Sequence, residues 1–267
     1  MTDAYTSRLI AAAAVLIVLA VAWDALVSHR APATRAPTRV SAPAADTTRP
    51  AARPQPAVTA SQGRSTDSGG ESHYLEQLAR SETRRRVRAS AGATYLNEIV
   101  AESQDSALHR WNHRATDPVR VYLPPGTVAN FHTEFLDAIR TAFRQWEQVG
   151  VPVSFDVNAD SSRAEVTVRW KIQFDIDRTG QTDLEWNQDG HILKAVVTIA
   201  TFDPKGRPLE SDDVRAIALH EVGHVLGLDH SPDSTDLMYA RGNTRQITDR
   251  DIRTVTLLYQ LSPGSLR

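Results

Sequence analysis

Between His220 and His230 the chain reads HEVGHVLGLDH, and no other stretch restricts its folding so tightly. On a helix, His220 and His224 lie one turn apart on the same face, so both imidazoles can reach a single ion, with Glu221 beside them. His230 cannot join them if the helix continues, because it would then stand about 15 Å along the axis and some 80° round. Zinc holds imidazole nitrogens at ~2.0 to 2.1 Å, so ligand atoms of one ion must crowd within a few Å of one another. The chain therefore has to reverse. Gly227 is the residue that permits this, since it can take the left-handed conformation that ends a helix and turns the backbone under the metal.

Three neutral histidines leave one tetrahedral position of Zn²⁺ open for water, and the ion brings the pKa of that water down to about 7. Glu221 stands where it can accept the proton and later pass it to a leaving amine. An ion there also polarises a carbonyl and stabilises the oxyanion that forms, so the constellation points to hydrolysis of peptide bonds with one catalytic zinc. Histidines on a helix are more often surface or core residues than ligands, and it is the joint spacing that overturns that default. The chain has no cysteine, which removes thiolates from the ligand set and excludes a disulfide framework.

Not all of the 267 residues can share one core. After a short polar tail, 1–8, comes LIAAAAVLIVLAVAWDALV, residues 9–27, apolar apart from Asp24 and close to the length that crosses a bilayer. Two readings stay open: a single-pass anchor holding an extracytoplasmic domain at the membrane, or a signal peptide cleaved near Ala22, where Ala20-Val21-Ala22 offers a small-x-small site. Arg30, Arg35 and Arg39 follow the apolar run and only Arg8 precedes it, which alone would keep the C-terminal side in the cytoplasm, but long domains translocate largely regardless of charge. Residues 28–70 are rich in proline and poor in large apolar side chains, the composition of a disordered tether. Residues 71–104 read as a thinly apolar helical segment whose second half, with Tyr95, Leu96, Ile99 and Val100, can dock on a neighbour. Its Arg84-Arg85-Arg86 run reads as a solvated helix face.

From 105 to 267 the texture is globular, with helix and strand signals mixed in the manner of an α+β domain. Strand-like runs occupy 118–123, 153–157, 164–172 and 192–202, separated by turn signals or a polar loop. Helices are expected at 130–149, ending at Gly150; at 211–226, with Ser211 as N-cap; and from Thr248 onward. Residues 1–92 carry 12 Arg against 7 Asp and Glu, whereas the remainder is acidic, which argues against nucleic acid as a partner. Protein or peptide is the expected substrate, the membrane the expected partner of 9–27, and nothing speaks to oligomeric state.

HEVGHVLGLDH fits HExxHxxGxxH, the zinc signature of metzincin endopeptidases. Ser231 after the third histidine, and LMYA with Met238 eight residues beyond it, resemble the matrixin branch in a bacterial-type form without a cysteine switch. The resemblance implies a metzincin (zincin-like) catalytic domain: a twisted, mostly parallel sheet with three main helices. It further implies a Met-turn at Met238, with Tyr239 beside it on the floor of the site. By the same resemblance, strand 192–202 is the edge that pairs with an extended substrate, and ARGNTRQ, with Arg241 and Arg245, borders the specificity pocket. The acidic residues Asp175, Asp177, Asp183 and Asp189 could take Ca²⁺, although such loops are more often simply solvated. The competing reading is a catalytically silent, zinc-stabilised binding module displayed on a membrane-anchored stalk, which would have no need of Glu221.

Overall fold

The computed structural model describes residues 68–103, 105–242 and 244–266. The apolar run 9–27 and nearly all of the proline-rich stretch lie outside the described residues. Among those described, no helix is long and apolar enough to cross a membrane.

The scaffold of the globular part is a five-stranded sheet. Its strands are β2 (Arg114–Tyr122), β3 (Val153–Asp156), β4 (Val166–Lys171), β5 (Gly180–Trp186) and β6 (Ile192–Ala200), in spatial order β3-β2-β4-β6-β5. Neighbouring strands from β3 to β6 run parallel, and β5 alone runs antiparallel, along β6. Inward side chains such as Val119, Val121, Val166, Val168, Val197 and Ile199 are buried, as β-branched residues on a covered sheet face should be.

The sheet corrects one expectation. Strand 192–202 is not the edge: β6 is hydrogen-bonded to β4 on one side and to β5 on the other, and the free edge on that side of the sheet belongs to β5. The sequence GQTDLEW lies in what reads as a polar loop, because an edge strand with mostly accessible side chains needs no apolar pattern and is held by main-chain bonds to its one neighbour.

Three helices cover this scaffold: α3 (Glu134–Gln148), α4 (Ser211–Val225) and α5 (Asp249–Gln260). On α3, Phe135, Ile139, Phe143 and Trp146 fall at helical spacing on one stripe, all buried. The Trp146 indole N–H donates to the Leu219 carbonyl at 2.8 Å, fixing α3 against α4. Glu210, not Ser211, caps α4: its side chain and that of Asp213 satisfy each other's backbone N–H groups in a capping box, and Ser211 is the first helical residue. Thr248 caps α5 by the same reciprocal arrangement with Asp251.

Two helices lie ahead of this domain, α1 (Ser68–Ala89) and α2 (Leu96–Glu102), and a small β1 (Ala107–Leu108) pairs with β7 (Gly264–Ser265). Val87, Tyr95, Leu96 and Ile99 are buried in the same hydrophobic core as α5. The Tyr95 hydroxyl donates to Asp251 at 2.9 Å, and its backbone N–H donates to the Thr254 hydroxyl. The arginine run is only partly a solvated face. Arg85 pairs with Glu82 in solvent, while Arg84 donates to the Leu266 carbonyl and Arg86 to Gln260. Replacing fully buried Tyr95 by Ala is therefore expected to destabilise the chain by about 3 to 5 kcal/mol, the usual cost of deleting a core aromatic. Urea unfolding of the full chain checks this, and a change below about 1 kcal/mol would mean that the α1–α2 segment does not share the core.

Candidate metal centre

The last turn of α4 is shaped to send the chain back under itself. Leu228 N–H donates to the Gly223 carbonyl at 3.0 Å and Gly227 N–H to the His224 carbonyl at 2.8 Å, the paired bonds of a Schellman ending. Gly227 holds φ +97, a left-handed conformation, as the spacing of the motif requires. Two of the remaining carbonyls at this helix end accept from buried donors: Val225 from the Trp111 indole at 2.8 Å, Leu226 from the Tyr259 hydroxyl at 3.1 Å.

The reversal brings His230 beside the two helical histidines. The ring centres of His220 and His224 are 4.9 Å apart, those of His220 and His230 5.4 Å, and those of His224 and His230 4.8 Å. One nitrogen from each ring lies within 4.8 Å of the other two, and among the described residues this is the one such group of three potential ligands. Asp175, Asp177, Asp183 and Asp189 form no such cluster.

Protons on these rings are fixed by their neighbours. His220 Nδ1 lies 2.8 Å from the Leu237 carbonyl and His224 Nδ1 2.8 Å from the Leu228 carbonyl. A carbonyl can only accept, so both Nδ1 atoms carry the hydrogen, and in the neutral rings both Nε2 atoms are left with bare lone pairs. Those two Nε2 atoms face each other at 3.2 Å. Lone pairs so opposed call for a cation between them, and the separation is close to the ~3.3 Å that follows for two nitrogens ~2.05 Å from a tetrahedral zinc. Burial, reinforced by the neighbouring rings, pulls the pKa of His220 and of His224 down to about 4, which keeps both as neutral ligands at ordinary pH. The donor set therefore fits zinc.

Met238, eight residues beyond His230, is fully buried. A Cβ on Gly223 would come 2.3 Å from the Met238 sulfur, so the glycine lets α4 settle directly on this side chain. The turn is held by Asp251, fully buried, which accepts from Leu237 N–H and from the Thr248 hydroxyl as well as from Tyr95. Asp236 ties the same turn to Ser231 and to the Arg250 guanidinium. Tyr239, half-buried, lines the cleft.

Glu221 is buried and adjoins this triad. Burial pushes its carboxyl up from the ordinary carboxylate range, against the pull of His220 and of a hydrogen bond from Thr182. That hydrogen bond, 2.7 Å from Thr182 Oγ1 to Oε2, comes from β5 and is invisible in the sequence unless β5 is recognised as a strand. The cleft in front of the site, about 1560 Å³, is walled on one side by β5 and on another by residues 239–242 with Thr244 and Arg245. Arg241 and Arg245 both line it, and Arg245 joins Arg207 in ion pairs to Asp213.

A sequence profile of the matrixin peptidases matches residues 110–260, more than half of the chain. The chain belongs to the matrixin family. Among curated relatives, this matrixin is 31% identical over 137 residues to Metalloendoproteinase 1-MMP of Arabidopsis thaliana, an alignment covering 46% of the chain and 37% of that protein. It is 24% identical over 179 residues to Metalloendoproteinase 1 of Glycine max, covering 58% and 54%. The matrixin thus spans between about a third and about half of the length of the curated relatives it matches.

Proposed function

We propose that this matrixin is a zinc-dependent endopeptidase in which His220, His224 and His230 hold the metal and Glu221 is the general base. The observation that carries the reading is the pair of bare Nε2 atoms facing each other at 3.2 Å, with His230 completing the triad and a buried carboxylate alongside. The names of its relatives, both metalloendoproteinases, agree with it.

Zinc bound by these rings supplies a Lewis acid that makes water acidic near neutral pH and polarises a carbonyl. Glu221 accepts the proton that the attacking water gives up and returns it to the departing amine. The hydrogen bonds from Nδ1 of His220 and His224 to main-chain carbonyls keep both rings oriented throughout. An extended substrate adds to the free edge of β5, whose backbone borders the cleft, in the manner of strand addition. A silent binding module has no use for a buried carboxylate beside its ligands, since burying such a group without a task only costs stability.

From sequence alone we also propose that residues 9–27 target the protein to the membrane, as anchor or as export signal, with the catalytic domain extracytoplasmic. The intact mass of the exported protein distinguishes the two.

The test uses the full chain. One zinc per chain is expected, with cleavage of denatured casein or a quenched peptide library that disappears on chelation and returns with zinc. A zinc-loaded chain that cleaves nothing across varied conditions would refute the endopeptidase reading and favour the binding module.

A further inference from the structure

We propose that Gly180 and Thr182, on the edge strand β5, are positioning residues that together seat the Glu221 carboxylate. The proposal rests on the reading of Glu221 as general base. The two residues stand two apart on a strand and so present the same face, here toward α4. Each attends to a different carboxylate oxygen. Thr182 Oγ1 donates to Oε2 at 2.7 Å, and among the described residues it is the one hydrogen-bond donor to this carboxylate. Gly180 makes room for Oε1: a Cβ there would lie 2.3 Å from Oε1, 2.8 Å from the carboxyl carbon and 2.8 Å from Cγ2 of Ile217. Real Cβ atoms do not approach that closely, so any larger residue at 180 has to move the carboxylate.

The seat is anchored by register. Gly180 pairs with Ile199 and Thr182 with Val197 across β6, and both partners are buried. A one-residue slip would turn both positions to the other face of the sheet. Glutamate is otherwise a flexible side chain, with rotamer freedom to lose on being fixed. A base displaced by about 1 Å can lose on the order of 100-fold in rate, so a donor on one oxygen and a shaped gap behind the other bear directly on catalysis. Because β5 is also the free edge along the cleft, the strand that would receive substrate backbone is the strand that holds the base.

The experiment compares Thr182→Val, Thr182→Ser and Gly180→Ala in the full chain, each with zinc content, kcat, KM and a crystal structure. Thr182→Val keeps shape and β-branching but removes the donor; kcat is expected to fall roughly 10- to 100-fold with KM within about twofold and zinc stoichiometry unchanged. Thr182→Ser restores the hydroxyl and is expected to return kcat to within a few-fold of the parent. Gly180→Ala is expected to lower kcat similarly and to show the Glu221 carboxylate displaced while His220, His224 and His230 stay in place. Should Gly180→Ala fold poorly, the Thr182 pair decides. A Thr182→Val protein with parental kcat, a serine variant that fails to rescue, or carboxylates that do not move in either crystal structure would each overturn the proposal. Were the zinc-loaded parent itself inactive, the endopeptidase reading would fall, and the crystal structures would still judge the seat.

Discussion

Glu221→Gln is expected to cut kcat/KM by two to four orders of magnitude while leaving one zinc per chain. Proton transfer by a positioned side chain is worth about 10² to 10⁴ in rate. Glutamine has the same length and can keep a hydrogen bond with Thr182 Oγ1, 2.7 Å away in the parent, so the seat survives and only the ability to take a proton is lost. Burial pushes the Glu221 carboxyl up from its usual value, against the hydrogen bond from Thr182. The metal site should not notice the exchange. The helical ligands orient through Leu237 and Leu228, not through Glu221. Steady-state kinetics beside metal analysis checks this, and a variant within threefold of the parent would remove Glu221 from the base role.

The triad was legible because its constraint is local. Eleven residues contain both the ligands and the glycine that reverses the chain, and sequence spacing translates directly into a Schellman ending with φ +97 at Gly227. Helices α3 and α5 were legible for a similar reason, since each buries one stripe, and α5 is also capped by its own Thr248 and Asp251. The supports of the site were not. β5 has no fully buried side chain and only Leu184 and Trp186 as large apolar residues, so it lacks the apolar signal of the other strands. Consequently the Thr182 and Gly180 contacts to Glu221, across about 40 positions of sequence, had nothing to announce them. Asp251 likewise looks like an ordinary helix-cap carboxylate. Only the fold shows that it also accepts from Tyr95, 156 positions earlier, and from the backbone of the turn that carries Met238. Polar contacts between distant segments depend on the completed packing and leave no period in the chain.

The second large effect falls on stability. Gly227→Ala is expected to cost about 3 to 5 kcal/mol and to weaken zinc binding, whereas Gly206→Ala, a matched control, is expected to cost only about 1 to 2 kcal/mol. Both glycines adopt left-handed backbone, φ +97 and φ +82, so both substitutions carry the conformational penalty of a Cβ in that region. Around Gly206 there is nothing within 4 Å, so the penalty stands alone. At Gly227 the new Cβ would lie 2.0 Å from the His109 carbonyl oxygen. That oxygen is main chain and cannot swing aside like a side-chain tip. The neighbouring Arg110 is pinned by its N–H to Gly190 and by its carbonyl to Ile192, so the His109 backbone has little freedom to retreat. The helix end must therefore shift, and His230, three residues on, moves with it while His220 and His224 stay on the helix. Zinc should be lost to a competing chelator at a lower concentration than in the parent. For a domain of this size the melting temperature should drop by roughly 10 °C in Gly227→Ala and by only a few degrees in Gly206→Ala. Equal losses in the two variants would mean that the reversal at Gly227 depends on backbone conformation alone and not on the close passage of His109.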